Sequence, residues 1–273
     1  MSGSALEVAI LGVGLAGPGL PSWAASRTVL RGEVAYRSEP TVVPAPARLP
    51  PAERRRASPS VRLAMTVADE AVAAAGIDPS TLATVFAASS GEGSNCHARC
   101  ETLAGPARLI SPTRFTNSVH NAAAGYWHIA VASRAASTSL SAYDASFAAG
   151  LLEAAVQVQA WGAPVLLVAA DVPYPEPLHH LRPLPHPAGV ALLLAPARTH
   201  GRAPRVGLAY AAGETDTTPT RCTDAALDEL RRSVPAARAL PLLEALARGE
   251  RRHIVLDADA GAVLTLGFDA EGS

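Results

Sequence analysis

The chain has 273 residues, 49% of them apolar, and a formal net charge of −1 at neutral pH. That is enough apolar material for one large core or two small ones, and the charge balance argues against a nucleic-acid footprint. All 23 basic residues are arginine, which excludes Schiff-base lysine chemistry, a P-loop lysine and a protein-kinase lysine together.

Three cysteines are an odd count for a chain this long, which argues against a disulfide framework and fits a reducing cytoplasm. No apolar run is long enough to span a bilayer. The apolar N-terminal stretch contains Glu7 and lacks a basic segment before it, so a secretory signal is not expected. Leu6 to Leu11 reads as a buried strand, followed by Gly12, Gly14 and Gly17. The spacing matches the dinucleotide fingerprint, with Glu33 or Glu39 near the place of a ribose-binding acid. Pro18 and Gly19 interrupt the helix such a cofactor requires. A tight turn after the first strand is therefore expected, and no cofactor.

From Arg37 to Arg56 the chain is rich in proline and then charged, with Arg54, Arg55 and Arg56 in a row. That reads as a wrapping loop ending on a solvated face, with a contact for an acidic partner as the alternative. Ser58 and Pro59 suit the cap and first turn of a helix with Val61, Leu63, Val67, Ala71 and Val72 on its apolar side, closed by Gly76. Thr84 to Ala88 is a short strand, and Ser89 to Gly93 is a glycine-rich turn at its C-terminal end, where ligand sites of α/β sheets gather. Cys96, His97 and Cys100 are soft ligands close together, but a fourth is missing and the spacing fits no standard zinc pattern, so no metal is expected.

Ser111 to Asn117 opens the most informative stretch, and Ser118 to Ala130 reads as a helix of small residues carrying His120 and His128. Those histidines are two turns apart, too far to share an ion. Ser137 to Tyr143 favours an extended chain. Asp144, Ala145 and Ser146 break into a helix from Phe147 to Ala160, Gly162 suits its left-handed cap, and Pro164 to Asp171 is an apolar strand. The order is strand, tight turn, helix, strand: a βαβ unit with its functional end at Asp144–Phe147. His179, His180 and His186 fall in a proline-studded loop and are expected at the surface or an interface. Gly189–Leu194 and Arg205–Tyr210 read as strands. A Thr-rich loop, helices over Asp224–Arg232 and Ala236–Arg248, and a hairpin of Ile254–Asp257 with Ala262–Gly267 through Ala258 to Gly261 complete the chain.

The elbow, the Ala75 to Pro79 helix ending before a central strand, and the phrase from Phe115 to Trp127 resemble the β-ketoacyl synthases, thiolase-fold condensing enzymes. The last phrase is similar to that of short chain-length factors of aryl-polyene-type pathways. The resemblance covers about residues 5–212. It implies an α/β, thiolase-like (ketosynthase) fold: a complete N-terminal half over 1–212, and an abbreviated C-terminal half over 213–273 packed on the same domain. In that family a nucleophilic cysteine stands on the elbow. Counting back from Trp161 and Gly162, its place falls on Ala145, flanked by Asp144 and Ser146. The family's paired histidines and lysine have no counterpart here.

The resemblance therefore implies a subunit with no catalytic residue, cofactor or metal. Its partners would be an active ketosynthase in a heterodimer and an acyl carrier protein bearing the growing chain. Nucleic acid and a membrane span are not expected. Ser137–Tyr143 would be the strand that pairs between subunits. The segment after Ser111 and Pro112 (Arg114, Phe115, Thr116, Asn117, Ser118, Val119 and His120) would close the partner's acyl tunnel, with Phe115 as the plug. A core position is the other reading of Phe115. Asn117, His120 and Asn121 can instead fix the loop through hydrogen bonds to backbone. Two further readings stay open. Ser146 beside Asp144 and His120 imitates the elbow of an acyl hydrolase, although Ala148 stands where the second glycine belongs. A structural homodimer is the other.

Overall fold

The computed structural model describes residues 6–269 except 107, 200, 202, 214–216, 259 and 260. Part of the expected Thr-rich loop, and two residues of the turn between Ala258 and Gly261, lie outside the described residues. The strands are β1 (Leu6–Ala16), β2 (Ala83–Ala87), β3 (Ser137–Leu140), β4 (Val165–Asp171), β5 (Ala188–Pro196), β6 (Arg205–Ala211), β7 (Arg252–Asp257) and β8 (Val263–Asp269). They form one sheet in the order β3-β2-β4-β5-β1-β6-β8-β7. β2 runs parallel to both β3 and β4, and the remaining pairs are antiparallel. Main-chain pairing therefore carries the C-terminal hairpin into the same sheet as the expected βαβ unit.

The helices are α1 (Trp23–Leu30), α2 (Pro51–Arg56), α3 (Pro59–Ala75), α4 (Gly93–Ala104), α5 (Pro112–Asn117), α6 (Ala122–Val131), α7 (Ser146–Trp161), α8 (Leu178–Leu181), α9 (Ala225–Ser233) and α10 (Leu240–Arg248). β4 is buried along its whole length because both sheet faces are covered. Leu166 and Val168 join α3 and α6 on one side, where Trp127 is wholly buried. Val165, Leu167 and Ala169 join α7, α10 and the turn around Ala236 on the other. The 213–273 segment thus supplies one wall of a core that the earlier strands share.

Helix ends follow the local signals. Ser58 Oγ accepts from Val61 N at the start of α3, and Gly76 and Gly162 close α3 and α7 at φ of +66° and +62°, the left-handed region that glycine enters without strain. The Arg37–Arg56 stretch is irregular until α2 forms at its end, with Arg54 Nη2 donating to Ala47 O and Leu49 O. Those bonds tie part of the arginine run to its own loop.

Two expectations are corrected. β1 does not turn at Gly12–Gly17 but continues to Ala16, with one register irregularity between Ile10 and Gly12, and the chain reverses at a bridge between Gly17 and Leu20. The reason is close packing: a Cβ at Gly12 would lie 2.1 Å from Ala71 O, and one at Gly14 would lie 1.9 Å from Val67 O. These glycines let the backbone of α3 lie on the strand, a role unrelated to phosphate binding. The second correction is at 118–130, where α5 and α6 are separate helices and residues 118–121 turn between them. Ser118 Oγ donates to Phe115 O at 2.8 Å, a side-chain bond that competes with helix continuation. His120 therefore lies in the turn and only His128 is helical, donating to or accepting from Thr84 Oγ1 at 3.1 Å.

The glycine packing sets the first prediction. Gly14→Ala drives a methyl into the carbonyl of Val67, so α3 must lift off the sheet. We expect a loss of about 3 kcal/mol, read as a lowered urea midpoint with the slope unchanged. A midpoint equal to the parent's would show that the contact yields freely.

Candidate functional site

The elbow lies between β3 and α7. β3 ends at Leu140, three residues short of the expected strand end, because Ser141 Oγ turns to donate to Ser89 O at 2.9 Å. Tyr143 has φ +50°, a left-handed conformation that a bulky residue adopts only when its surroundings hold it there. Ser146 does the holding: its Oγ donates to Tyr143 O at 2.7 Å and accepts from Ala142 N at 3.0 Å. Ala145 N donates to Ala142 O at 2.8 Å, and its methyl is buried.

The polar groups of the elbow are thus committed. Ser146 is 1% exposed, with its hydroxyl engaged on both sides. Asp144 faces two arginines, Arg182 Nη2 at 2.6 Å from Oδ1 and Arg238 Nη2 at 3.3 Å from Oδ2. Arg238 also reaches Asp257 at 2.5 Å, and Arg182 stacks on the Tyr143 ring at 3.3 Å from its centroid. Neither Asp144 nor Ser146 bonds a histidine among the described residues, so the hydrolase geometry imagined for Ser146, Asp144 and His120 is not assembled. The arginine network was not anticipated from sequence, because Arg182 and Arg238 are remote from the elbow along the chain.

The 111–121 segment places its residues in two ways. Asn117 is buried and anchors the segment, its Nδ2 donating to Arg56 O at 3.0 Å and its Oδ1 accepting from Tyr126 Oη at 2.9 Å. Thr116 Oγ1 caps locally by donating to Pro112 O at 3.0 Å. Phe115 is 58% exposed, so it is not a core residue of this chain. The guanidinium of Arg99 lies over its ring at 5.7 Å. Val119 and His120 are exposed and roof a cavity of about 40 Å³ above the C-terminal ends of β2 and β4.

That cavity is floored by Asp171, the last residue of β4. Its Oδ1 accepts from Ser89 N at 2.7 Å and its Oδ2 from Ala236 N at 2.8 Å. Burial raises its pKa above the usual aspartate value, opposed by the bonds from Ser89 and Ala236 and by the charge of Arg182. A carboxylate closing a wholly apolar strand was the sequence signal for this position. Cys96, His97 and Cys100 all lie on α4, where His97 Nε2 approaches Glu101 at 3.3 Å. Among the described residues no group of three or more His, Cys, Asp or Glu side chains is placed to hold a metal ion. No described helix is long and apolar enough to cross a membrane. β3 is an edge strand of the sheet, and the apolar side chains of Ile129, Tyr143, Val156 and Trp161 are exposed on α6, the elbow and α7.

Asp171 yields the second prediction. Asp171→Ala leaves two buried amides without acceptors, at about 1–3 kcal/mol each. The expected loss is about 2–6 kcal/mol in urea unfolding, with earlier proteolysis near Ser89 and Ala236. A variant as stable as the parent would remove the bridge from its structural role.

The profile of the β-ketoacyl synthase N-terminal domain matches residues 23–255. No curated protein sequence matches the chain. Among solved structures, the chain is similar to one from the complex of a ketosynthase (ApeO) with its chain length factor (ApeC) from Xenorhabdus doucetiae. That pair is 24% identical with a TM-score of 0.70, over 95% of this chain and 98% of that one. The ishigamide ketosynthase/chain length factor gives 14%, 0.68, 96% and 98% in the same order. AntDE:AntF, a type II PKS acyl-carrier protein in complex with its ketosynthase bound to the hexaketide, gives 13%, 0.73, 97% and 99%. At these identities the likeness shows a common fold, the thiolase-like α/β architecture.

Proposed function

Because the chain belongs to the β-ketoacyl synthase N-terminal domain family, we propose that it is a non-catalytic chain-length factor. It pairs with an active β-ketoacyl-carrier-protein synthase and limits the acyl or polyene chain that the partner builds, in a fatty-acid or polyketide-type route of the aryl-polyene kind. The observation that carries this reading is the elbow. Where the family resemblance places a nucleophilic cysteine, a buried alanine stands at position 145, and the neighbouring Ser146 hydroxyl and Asp144 carboxylate are both occupied. A methyl group offers neither a nucleophile nor a proton. The helix N-terminus that would activate a thiol therefore has nothing to act on.

Two further observations support a partner. The open edge of β3 presents unpaired main-chain groups, a template for another strand. The exposed Ile129, Tyr143, Val156 and Trp161 can join an apolar interface of the obligate class, roughly 2,000 Å² or more. Ketosynthases paired with a chain length factor or with a carrier protein appear among the similar structures, which supports those two partner classes here. The exposed Phe115, on a segment anchored by Asn117, suits a plug reaching into the partner's tunnel: the ring is exposed while its base is fixed. Val119 and His120 complete the gate, with Thr116 holding the turn of α5.

The purified chain should give no condensation product above background with malonyl-carrier protein, and Ala145→Cys should not create one. The reason is that the base and oxyanion groups of condensation would still be missing. Product from that single change would sink the non-catalytic reading.

Within the complex, Phe115→Ala should lengthen the product by one or more two-carbon units. Mass spectrometry of the released chains reads this directly. Unchanged length from a complex that still co-purifies would remove Phe115 from the gate.

A further inference from the structure

The backbone of Phe115 is held on both sides. Its N–H donates to Ser111 O at 2.9 Å, and its carbonyl accepts from Ser118 N at 3.1 Å and Ser118 Oγ at 2.8 Å. A fixed backbone still leaves the ring a choice of rotamers. Arg99, on the neighbouring α4, meets this point twice. Its Nη1 donates to Ser118 Oγ at 2.6 Å, and its guanidinium lies over the Phe115 ring, 5.7 Å from the centroid. The Ser118 hydroxyl accepts from Arg99 while donating to Phe115 O, so the guanidinium is tied to the carbonyl of the residue whose ring it covers.

The charge of Arg99 is not engaged by an acid. No carboxylate forms an ion pair with it among the described residues, and Glu101, the one acidic residue of α4, faces His97 Nε2 at 3.3 Å. The helix that carries Arg99 is itself seated closely: a Cβ on Gly93, its first residue, would lie 3.2 Å from the Tyr174 ring. A cation within about 6 Å of a ring centroid is attracted to the ring face, and the attraction grows as water is excluded. We propose that Arg99 is the positioning residue of the chain-length gate: through Ser118 and the Phe115 ring it sets how far the ring projects, and so which chain length is favoured. This rests on the reading of Phe115 as the plug. Without the guanidinium the ring samples its other rotamers, the gate closes at more than one depth, and the complex releases more than one length.

The test uses the full chain co-purified with its ketosynthase, with mass spectrometry of the released chains. Arg99→Met keeps an apolar stem and removes the cation. The share of chains longer by a two-carbon unit should rise about two- to fivefold, the population ratio that an exposed cation–π contact sustains. Because Arg99 acts through Phe115, Arg99→Met added to Phe115→Ala should give the lengths of Phe115→Ala alone, whereas a general loosening of α4 would add to them. Ser118→Ala releases the guanidinium from the turn and should shift the lengths in the same direction, which decides the question if Arg99→Met does not co-purify. Parent lengths from whichever of these two variants co-purifies, while Phe115→Ala lengthens the product, overturn the role of Arg99 and leave the gate standing. A double variant with longer chains than Phe115→Ala also overturns it. Parent lengths from Phe115→Ala remove the gate and its positioning residue together.

Discussion

Asp171 joins the three parts of the molecule that meet above the sheet. It ends β4, a strand with apolar cover on both faces, and its carboxylate takes the amide of Ser89 on one side and of Ala236 on the other. Ser89 begins the turn that walls the cavity and also receives Ser141 Oγ from the elbow. Ala236 belongs to the 213–273 segment and sits in the core under α7. One buried side chain thus holds the elbow, the cavity wall and the C-terminal segment in register. A carboxylate suits this position because it is acceptor-only when ionised and can serve two amides at once. Burial raises its pKa and the amide bonds oppose that rise, so bridging and burial work against each other at this residue.

The elbow shows how a strained turn is held in place. Tyr143 has a left-handed conformation, and the Ser146 hydroxyl and Arg182 guanidinium hold it through packing and hydrogen bonds. Asp144 lies between Arg182 and Arg238, and Arg238 continues to Asp257 on β7. The network crosses from the elbow to the C-terminal hairpin, so the turn is secured by residues distant in sequence. Asp144 is half-exposed and solvent screens the network, so its contribution is geometric more than energetic.

The exposed apolar residues have a similar logic. Phe115 is exposed while Asn117, two positions on, is pinned to Arg56 and Tyr126. A ring on a fixed base loses little conformational freedom when it is buried by a partner. The edge strand β3 and exposed apolar residues of α6 and α7 are further exposed features of the chain. These features together make an interface reading more economical than a separate explanation for each.

Periodicity and caps alone determined much of the architecture: α3 from its serine–proline start to Gly76, α7 to Gly162, the apolar run of β4 and the C-terminal hairpin. Those features depend on neighbours a few residues away, which local composition records. The absence of lysine and the alanine at position 145 were likewise plain in the chain itself. Tertiary structure decided what depends on contacts between remote segments. Gly12 and Gly14 look like a phosphate-binding turn until α3 is seen lying on them. Residues 118–130 look like one helix until the Ser118 side-chain bond is seen, with 118–121 forming a turn before α6. The partners of Asp144 and Asp171 arise only when folding brings distant backbone and side-chain groups within hydrogen-bond range and excludes water from between them.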